Sequence, residues 1–149
     1  SRHNLGFWRN VVWAGLGPGA HSHFDAAALS ERGTARRGQA DGEDSATALR
    51  SWDIAHPRLW GSAISEGGIP WAGSENITVE ENLEETIMLG LRIREGLDIA
   101  RLGNAIAETT WRELEHDGLI TIEHHHAIPT LRGRLLNDTI IAKLLESLD

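Results

Sequence analysis

The 149-residue sequence predicts an α+β protein whose C-terminal half is winged-helix-like. Three patterns predict this class. A short apolar run at Val11–Ala14 precedes a glycine turn as a buried strand would, capped amphipathic helices follow residue 77, and residues 119–128 have the composition of a small hairpin. No apolar run reaches the roughly 18 residues of a membrane-spanning helix. We therefore expect a soluble protein, and the lack of an apolar N-terminal signal core predicts a cytoplasmic location.

The N-terminal half is expected to contain few regular elements. The strand at Val11–Ala14 leads into a turn rich in glycine. Residues 30–48 contain almost no large apolar side chain, which predicts a flexible loop. Residues 49–74 form a connecting segment with one short helix from Pro57 to Ile64, because proline is favoured in a first helical turn.

Polar caps mark the predicted helices of the C-terminal half, residues 75–149. Thr78 and Glu81 form a capping box for a helix that ends at Gly96. Asp98 caps a short helix at Ile99–Leu102, and Asn104 caps a longer one that ends at Gly118. The positions predicted to be buried recur three or four residues apart: Leu83, Ile87, Leu91, Ile106, Ala107, Thr110, Trp111 and Leu114.

A hairpin and a last helix complete the prediction. Strands at Leu119–Ile122 and up to Ile128 flank a turn at Glu123–His126. Thr130 caps a final helix in which Leu136, Ile140 and Leu144 face the core. This succession of helices, hairpin and helix is the order of a winged-helix-like module.

The two halves of the chain differ in charge. Residues 1–74 carry 7 acidic and 7 basic side chains, whereas residues 75–149 carry 15 acidic and 7 basic ones, so the net charge of −8 lies in the second half. Nucleic-acid binding normally needs a basic surface. The charge therefore predicts no nucleic-acid partner.

Cysteine and histidine content limits the metal chemistry. The absence of cysteine excludes disulfides, thiolate zinc sites and a cysteine-ligated cluster within this chain. His21 and His23 would place two imidazoles on one strand face, but two ligands do not make a site. The run His124–His126 predicts a solvated hairpin tip.

The glycine turn matches the GxGxxG/A pattern at Gly15, Gly17 and Ala20. A dinucleotide site would need a helix directly after it, and the residues from His21 onward are a poor first helical turn. We interpret the segment as a turn at a sheet edge, where glycines let a cofactor approach the backbone closely.

His3, Asn4, Phe7 and Trp8 combine an imidazole, an amide that can orient it and two flat apolar rings. A porphyrin needs an axial ligand, a hydrogen bond to that ligand and apolar surfaces. Composition alone leaves two interpretations open, a porphyrin site and a frayed chain end.

Five motifs occur in the order in which one known family carries them. They are HNLGFW at residues 3–8, GLGPGAHS at 15–22, LRSWD with HP at 49–57, MLGLRIREGLD at 88–98 and LRGRLLN at 131–137. With them the chain resembles the C-terminal part of HemW-type haem chaperones, radical S-adenosylmethionine (SAM) proteins similar to oxygen-independent coproporphyrinogen III oxidases.

This resemblance implies roles for particular residues. His3, Asn4, Phe7 and Trp8 match the family's HNxxYW motif and would bind haem, with His3 as the iron ligand and Phe7 in place of tyrosine. Residues 1–29 would end a radical-SAM (β/α) barrel, in which Gly15, Gly17, Gly19 and Ala20 lie near SAM. Arg94 is a candidate partner for a haem propionate or an interface, and Asp53 stands where the family usually has asparagine. The [4Fe-4S] cluster and most SAM contacts would lie upstream of Ser1.

The resemblance predicts a protein that binds haem and transfers it to client proteins, membrane-associated ones among them, with no catalytic residue in this chain. Two alternatives stay open: an oxygen-independent coproporphyrinogen III oxidase of haem biosynthesis and a winged-helix protein-interaction module. Homo-oligomer formation is open as well.

Overall fold

The computed structural model describes residues 2–25 and 47–148, except for the side chains of residues 2–4. Within these ranges it contains two three-stranded antiparallel sheets and six α-helices, which confirms the α+β prediction. The predicted loop at residues 30–48 lies outside them apart from Thr47 and Ala48. The chain divides into a sheet unit, residues 11–82, and a terminal unit formed by residues 1–10 and 83–149.

The elements follow one another in this order: α1 (Arg2–Trp8), β1 (His21–Asp25), β2 (Ala48–Asp53), α2 (Pro57–Ser65), β3 (Trp71–Ile77), α3 (Val79–Gly90), β4 (Leu97–Asp98), a 3₁₀ helix (Ile99–Leu102), α4 (Glu108–His116), β5 (Ile120–Glu123), β6 (His126–Pro129), α5 (Leu131–Leu135) and α6 (Asn137–Leu145). None of these helices has the length and apolar character of a membrane span.

The sheet unit is built around β2, which pairs with β1 on one side and β3 on the other. The predicted buried strand at Val11–Ala14 is wrong, because Val11 and Val12 are 45% and 41% exposed and only Trp13 pairs, in an isolated bridge with His23. The strand lies after the glycine turn instead. The sequence HSHFD of β1 is polar at several positions, so pairing with β2 rather than β-propensity defines it.

The predicted helix at Pro57–Ile64 is confirmed as α2. The capping box of α3 is confirmed as well: the backbone N–H of Thr78 donates to the Glu81 carboxylate at 2.9 Å, and the Glu81 N–H donates to the Thr78 hydroxyl at 3.2 Å. The predicted end at Gly96 is wrong, since α3 ends at Gly90. After Leu91 backbone N–H groups donate to the carbonyl three residues earlier instead of four, beginning with Arg92 to Leu89. This tighter winding turns the chain before β4.

Two further predictions of helix boundaries are corrected. Asp98 caps the 3₁₀ helix as expected, but Asn104 does not cap the next helix, because turns that bury Ile106 delay the start of α4 to Glu108, with Ala107 at its N-cap. Thr130 caps a helix as predicted, but that helix breaks at Leu136 into α5 and α6. The break lets α5 lie against the backbone of Leu119 while α6 fills the core.

The core of the terminal unit contains seven of the side chains predicted from periodicity, and five further ones complete it. The seven are Ile87, Leu91, Ile106, Trp111, Leu114, Ile140 and Leu144, and the five are Leu97, Leu102, Leu119, Ile120 and Ala127. Ala107 and Leu136 were predicted to be buried and are exposed. β6 lies between β4 and β5, and the hairpin turn consists of His124 and His125. Both residues have positive φ, 49° and 64°, as a two-residue turn of type I′ requires.

Candidate functional site

The six residues of the HNLGFW segment, which include the predicted site residues His3, Asn4, Phe7 and Trp8, lie on α1. Positions 3 and 7 are one helical turn apart, as are positions 4 and 8. Phe7 is 37% exposed and Trp8 is 38% exposed, so each presents part of its ring at the surface. The side chains of His3 and Asn4 lie outside the described part of the chain. The structure therefore places the backbone of the whole motif on one short helix and describes the surroundings of its two rings.

The C-terminal end of α1 is held by Arg101 of the 3₁₀ helix. One guanidinium nitrogen of Arg101 donates to the carbonyl of Arg9, and Nη2 donates to the carbonyl of Asn10 at 3.1 Å. These two carbonyls follow directly after α1, which ends at Trp8, and a charged donor makes the stronger kind of hydrogen bond to them. Arg9 in turn pairs with Glu95 at 2.5 Å. These contacts join α1 to residues more than eighty positions later, and no pattern in the sequence signals them.

The glycine turn is bonded into the sheet at several points. The N–H of Gly15 donates to the Ser22 hydroxyl at 3.1 Å, and a Cβ at Gly15 would lie 2.1 Å from the carbonyl oxygen of His21, which excludes any side chain. Gly19 has φ of 72° and donates to the carbonyl of Ile54. Next to it, Ala20 accepts from the N–H of Asp53 at 2.8 Å. The predicted turn is confirmed, and β2 and its C-terminal extension fix its position.

A buried polar group follows this turn. Asp53 is 7% exposed, and its carboxylate accepts from the indole N–H of Trp60 at 2.9 Å. Ser22 and Ser51 are directly opposite each other on β1 and β2, and both are buried. The Ser51 hydroxyl has no hydrogen-bond partner in the part of the chain that the structure describes. The sequence shows that Asp53 stands where the family usually has asparagine. It does not show that Trp60 is the hydrogen-bond partner of Asp53, because the two residues belong to different elements.

The other predicted polar residues are dispersed. His21 is exposed and His23 is 4% exposed, and among the described residues no three histidine, aspartate or glutamate side chains are grouped to hold a metal ion. The exposed tip at His124 and His125 is confirmed. Arg94 is exposed, as is Arg92, and the side chain of neither has a hydrogen bond or an ion pair to another described residue.

Among the described residues, Glu81 and Lys143 have shifted pKa values, and both groups stabilise structure. The hydrogen bond from the backbone N–H of Thr78, helped by the Thr78 hydroxyl, lowers the pKa of Glu81. The hydrogen bond to Glu113 raises the pKa of Lys143, and the two groups lie 2.8 Å apart. Neither group is near the HNLGFW or glycine segments in sequence.

The terminal unit contains a cleft of about 520 Å³, within the usual range for a small-molecule pocket. Ile106 and Trp111 supply its buried apolar lining, while Asn104, Glu108 and His125 supply polar groups. None of its lining residues is a predicted site residue. The cleft is therefore separate from the predicted haem motif.

Comparison with known proteins gives the class of this chain. Residues 77–136 match the family model of the HemN C-terminal domain. This range begins at the end of β3 and ends after α5, so it includes the capping box, the core helices and the hairpin. No solved structure gives a significant match to the chain.

Similar full-length sequences cover nearly the whole chain. The heme chaperone HemW of Mycobacterium tuberculosis is 32% identical over 144 residues, 97% of this chain and 31% of that protein. The heme chaperone HemW of Bacillus subtilis is 25% identical over 99% of this chain and 35% of its own length. The radical S-adenosyl methionine domain-containing protein 1, mitochondrial, of Danio rerio is 27% identical over 65% of this chain and 19% of its own length.

The chain thus carries a HemN C-terminal domain within a sequence related to radical SAM proteins. It belongs to the HemW-type family, as the five motifs predicted. It spans about a third of the length of the HemW relatives from Mycobacterium tuberculosis and Bacillus subtilis.

Proposed function

We propose that this chain is part of a haem chaperone that binds haem and transfers it to client proteins. The observation that carries the proposal is the HNLGFW segment on α1, fastened by Arg101 and Glu95 to the unit that contains the HemN C-terminal domain. The names of the HemW relatives support it. The proposal includes a cytoplasmic location, client proteins that include membrane-associated ones, and an oligomeric state that is left open.

Haem fits the residues that α1 presents. More than a third of Phe7 and of Trp8 is exposed, which leaves flat apolar surface for a macrocycle. In this proposal His3 ligates the iron, Asn4 orients the imidazole by a hydrogen bond, and the two rings pack against the porphyrin. Because residue 7 is phenylalanine, no phenol hydrogen bond contributes.

This chain offers a glycine turn for SAM but no cysteine ligand for a [4Fe-4S] cluster. Gly15, Gly17, Gly19 and Ala20 form a turn whose backbone a ligand can approach, since a Cβ at Gly17 would meet no atom within 4 Å. We place SAM near this turn. The chain contains no cysteine, so it supplies no thiolate for the cluster, and any cluster would be ligated by residues outside it.

The domain assignments extend this proposal. Residues 1–29 would contribute the end of a radical-SAM barrel, residues 30–48 a loop, residues 49–74 a connecting segment, and residues 75–149 a winged-helix-like domain.

Substitution of His3 tests the haem site. We expect the full chain to bind haem and His3→Ala to weaken binding at least about tenfold, a loss of about 1.4 kcal/mol, with a shifted Soret band in an absorbance titration. His56→Ala, which removes an exposed histidine at the start of α2, is the matched control and should leave both measurements unchanged. Identical spectra and affinity for His3→Ala and the unchanged chain would contradict the ligand role.

An oxygen-independent coproporphyrinogen III oxidase is the alternative function. Anaerobic incubation of the full-length protein with SAM and coproporphyrinogen III distinguishes the two. Oxidation of the substrate would favour the alternative, and haem binding without oxidation would favour the chaperone.

A further inference from the structure

Helix α5 has its large apolar side chains on the outside. Leu131 is 79% exposed and Leu135 is 80% exposed, and the next residue, Leu136, is 42% exposed. Gly133, midway between the first two, is the buried residue of the helix. A surface helix of a globular protein normally has the opposite arrangement, with apolar residues toward the core.

This arrangement is fixed by contacts at the N-cap and in the middle of the helix. The Thr130 hydroxyl accepts from the N–H of Gly133 at 3.0 Å and donates to the carbonyl of Gly118 at 2.7 Å. A Cβ at position 133 would lie 1.8 Å from the carbonyl oxygen of Leu119, so the backbone of α5 rests directly on the chain before β5. Because Leu131 and Leu135 lie about 160° around the helix from Gly133, they must face away from the core.

The positive charge of α5 is uncompensated among the described residues. Arg132 and Arg134 are exposed, and the side chain of neither has a hydrogen bond or an ion pair to another described residue. In the same unit Arg9, Arg101, Arg112 and Lys143 are bonded to carboxylates or carbonyls, whereas the side chains of Arg92 and Arg94 are unpaired like those of α5. Two leucines with two uncompensated cations therefore form one surface, which we call the α5 face: Leu131, Arg132, Arg134 and Leu135.

We propose that the α5 face is a docking surface for a partner protein that presents an acidic amphipathic helix. The leucines would pack against the apolar stripe of that helix, and the arginines would pair with carboxylates beside the stripe. Two arginines are fewer than the about four to eight clustered basic residues by which a segment binds an anionic leaflet, which argues against a membrane as the occupant. The inference goes beyond haem binding and holds whether or not the chain binds haem.

Two synthetic peptides test the partner chemistry. Both are short helical peptides with the same leucine stripe, and the stripe is flanked by glutamates in one and by lysines in the other. Fluorescence anisotropy with the full chain should show binding of the glutamate peptide and at least about tenfold weaker binding of the lysine peptide. Added salt should reduce the difference, because the arginines are exposed.

Variants assign the binding to the α5 face. The double variant Leu131→Ser, Leu135→Ser should bind the glutamate peptide at least about tenfold more weakly. The double variant Arg132→Glu, Arg134→Glu should instead bind the lysine peptide more tightly than the glutamate peptide. Leu59→Ser with Ile64→Ser is the matched control, since these residues are exposed apolar positions on α2. Circular dichroism checks that every variant folds.

Four results would overturn the proposal: no binding of the glutamate peptide, equal binding of both peptides, binding that the α5 substitutions leave unchanged, or binding that the α2 control reduces as much. Sedimentation with phosphatidylcholine vesicles containing phosphatidylserine tests the membrane alternative. Binding to these vesicles in preference to the glutamate peptide would assign the face to lipid. Light scattering that shows self-association lost in the leucine variant would assign it to a second copy.

Discussion

Position 133 accommodates a hydrogen atom and nothing larger. The ideal Cβ there lies 1.8 Å from the oxygen of Leu119, which is backbone and cannot rotate away, and 3.1 Å from Ile140. Gly61 in α2 is the opposite case, because a Cβ there meets no atom within 4 Å and its φ is negative. The two glycines therefore make a matched pair in which the same substitution should have opposite signs.

We expect Gly133→Ala to lower the free energy of unfolding by about 2–3 kcal/mol, because the methyl group forces α5 off the terminal unit. Gly61→Ala should raise it by about 0.5–1 kcal/mol, because alanine reduces the entropy lost on forming the helix. Urea denaturation of both variants and the unchanged chain measures the difference. Destabilisation of similar size at both positions would show that the contact at Gly133 is not the cause.

At the scale of elements, α3 shows how a local motif determines a helix start. The Thr78 hydroxyl and the Glu81 carboxylate satisfy each other's backbone N–H groups, and both residues were identified in the sequence as a capping box. Ionised Glu81 is the better acceptor, which lowers its pKa relative to the unfolded chain. Its stabilisation is therefore complete above the ordinary glutamate pKa and is lost as the pH falls through the lowered pKa.

Substitution by glutamine removes this pH dependence, since glutamine keeps an acceptor but does not titrate. We expect the unchanged chain to be more stable than Glu81→Gln at neutral pH, and the difference in unfolding free energy to shrink as the pH falls below about 4. Glu80→Gln, one residue earlier in the same first turn, controls for the helix dipole. Two results would contradict the role of the carboxylate. One is a difference in unfolding free energy for Glu81→Gln that stays constant with pH, and the other is the same pH-dependent difference for Glu80→Gln.

Local patterns predicted the elements that local interactions determine. The caps at Thr78, Asp98 and Thr130 were all found from the sequence, because each cap bonds within three residues of itself. Boundaries set by distant contacts were missed. α3 ends at Gly90 rather than Gly96, and α5 stops at Leu135 where Gly133 rests on Leu119.

In the candidate site, too, the local motifs were predicted from the sequence and the contacts between distant residues were not. The HNLGFW and glycine segments were identified by motif, and the turn at the latter is confirmed. The contacts of Arg101 with α1 and of Trp60 with Asp53 were not predicted, because periodicity and capping rules describe neighbours in sequence. The strands β1, β2 and β3 were missed for a similar reason, since all three contain polar residues and are held by pairing with one another.

At the scale of the whole molecule, the terminal unit is assembled from both ends of the sequence. Its first ten residues join residues 83–149, and the sheet unit occupies the chain between them. Arg101 contributes most directly to this junction, because its guanidinium bonds two carbonyls at the end of α1.

We expect Arg101→Ala to increase amide hydrogen exchange in residues 5–10, because two carbonyls lose a charged donor worth about 1.5–3 kcal/mol at most. Exchange in β2 and in α6 should stay as it is. Arg112→Ala, which removes an exposed ion pair with Glu108, is the control and should leave residues 5–10 protected. Unaltered protection of α1 in Arg101→Ala would show that other contacts hold the helix.

The pairing of Arg9 with Glu95 has a consequence for biosynthesis. α1 leaves the ribosome before the side chains that anchor it, which are made 86 and more residues later. Closing so long a loop has an entropic cost, and contacts of this separation form late in folding. A nascent chain therefore exposes Phe7 and Trp8 before Glu95 and Arg101 have been made and can hold the end of their helix.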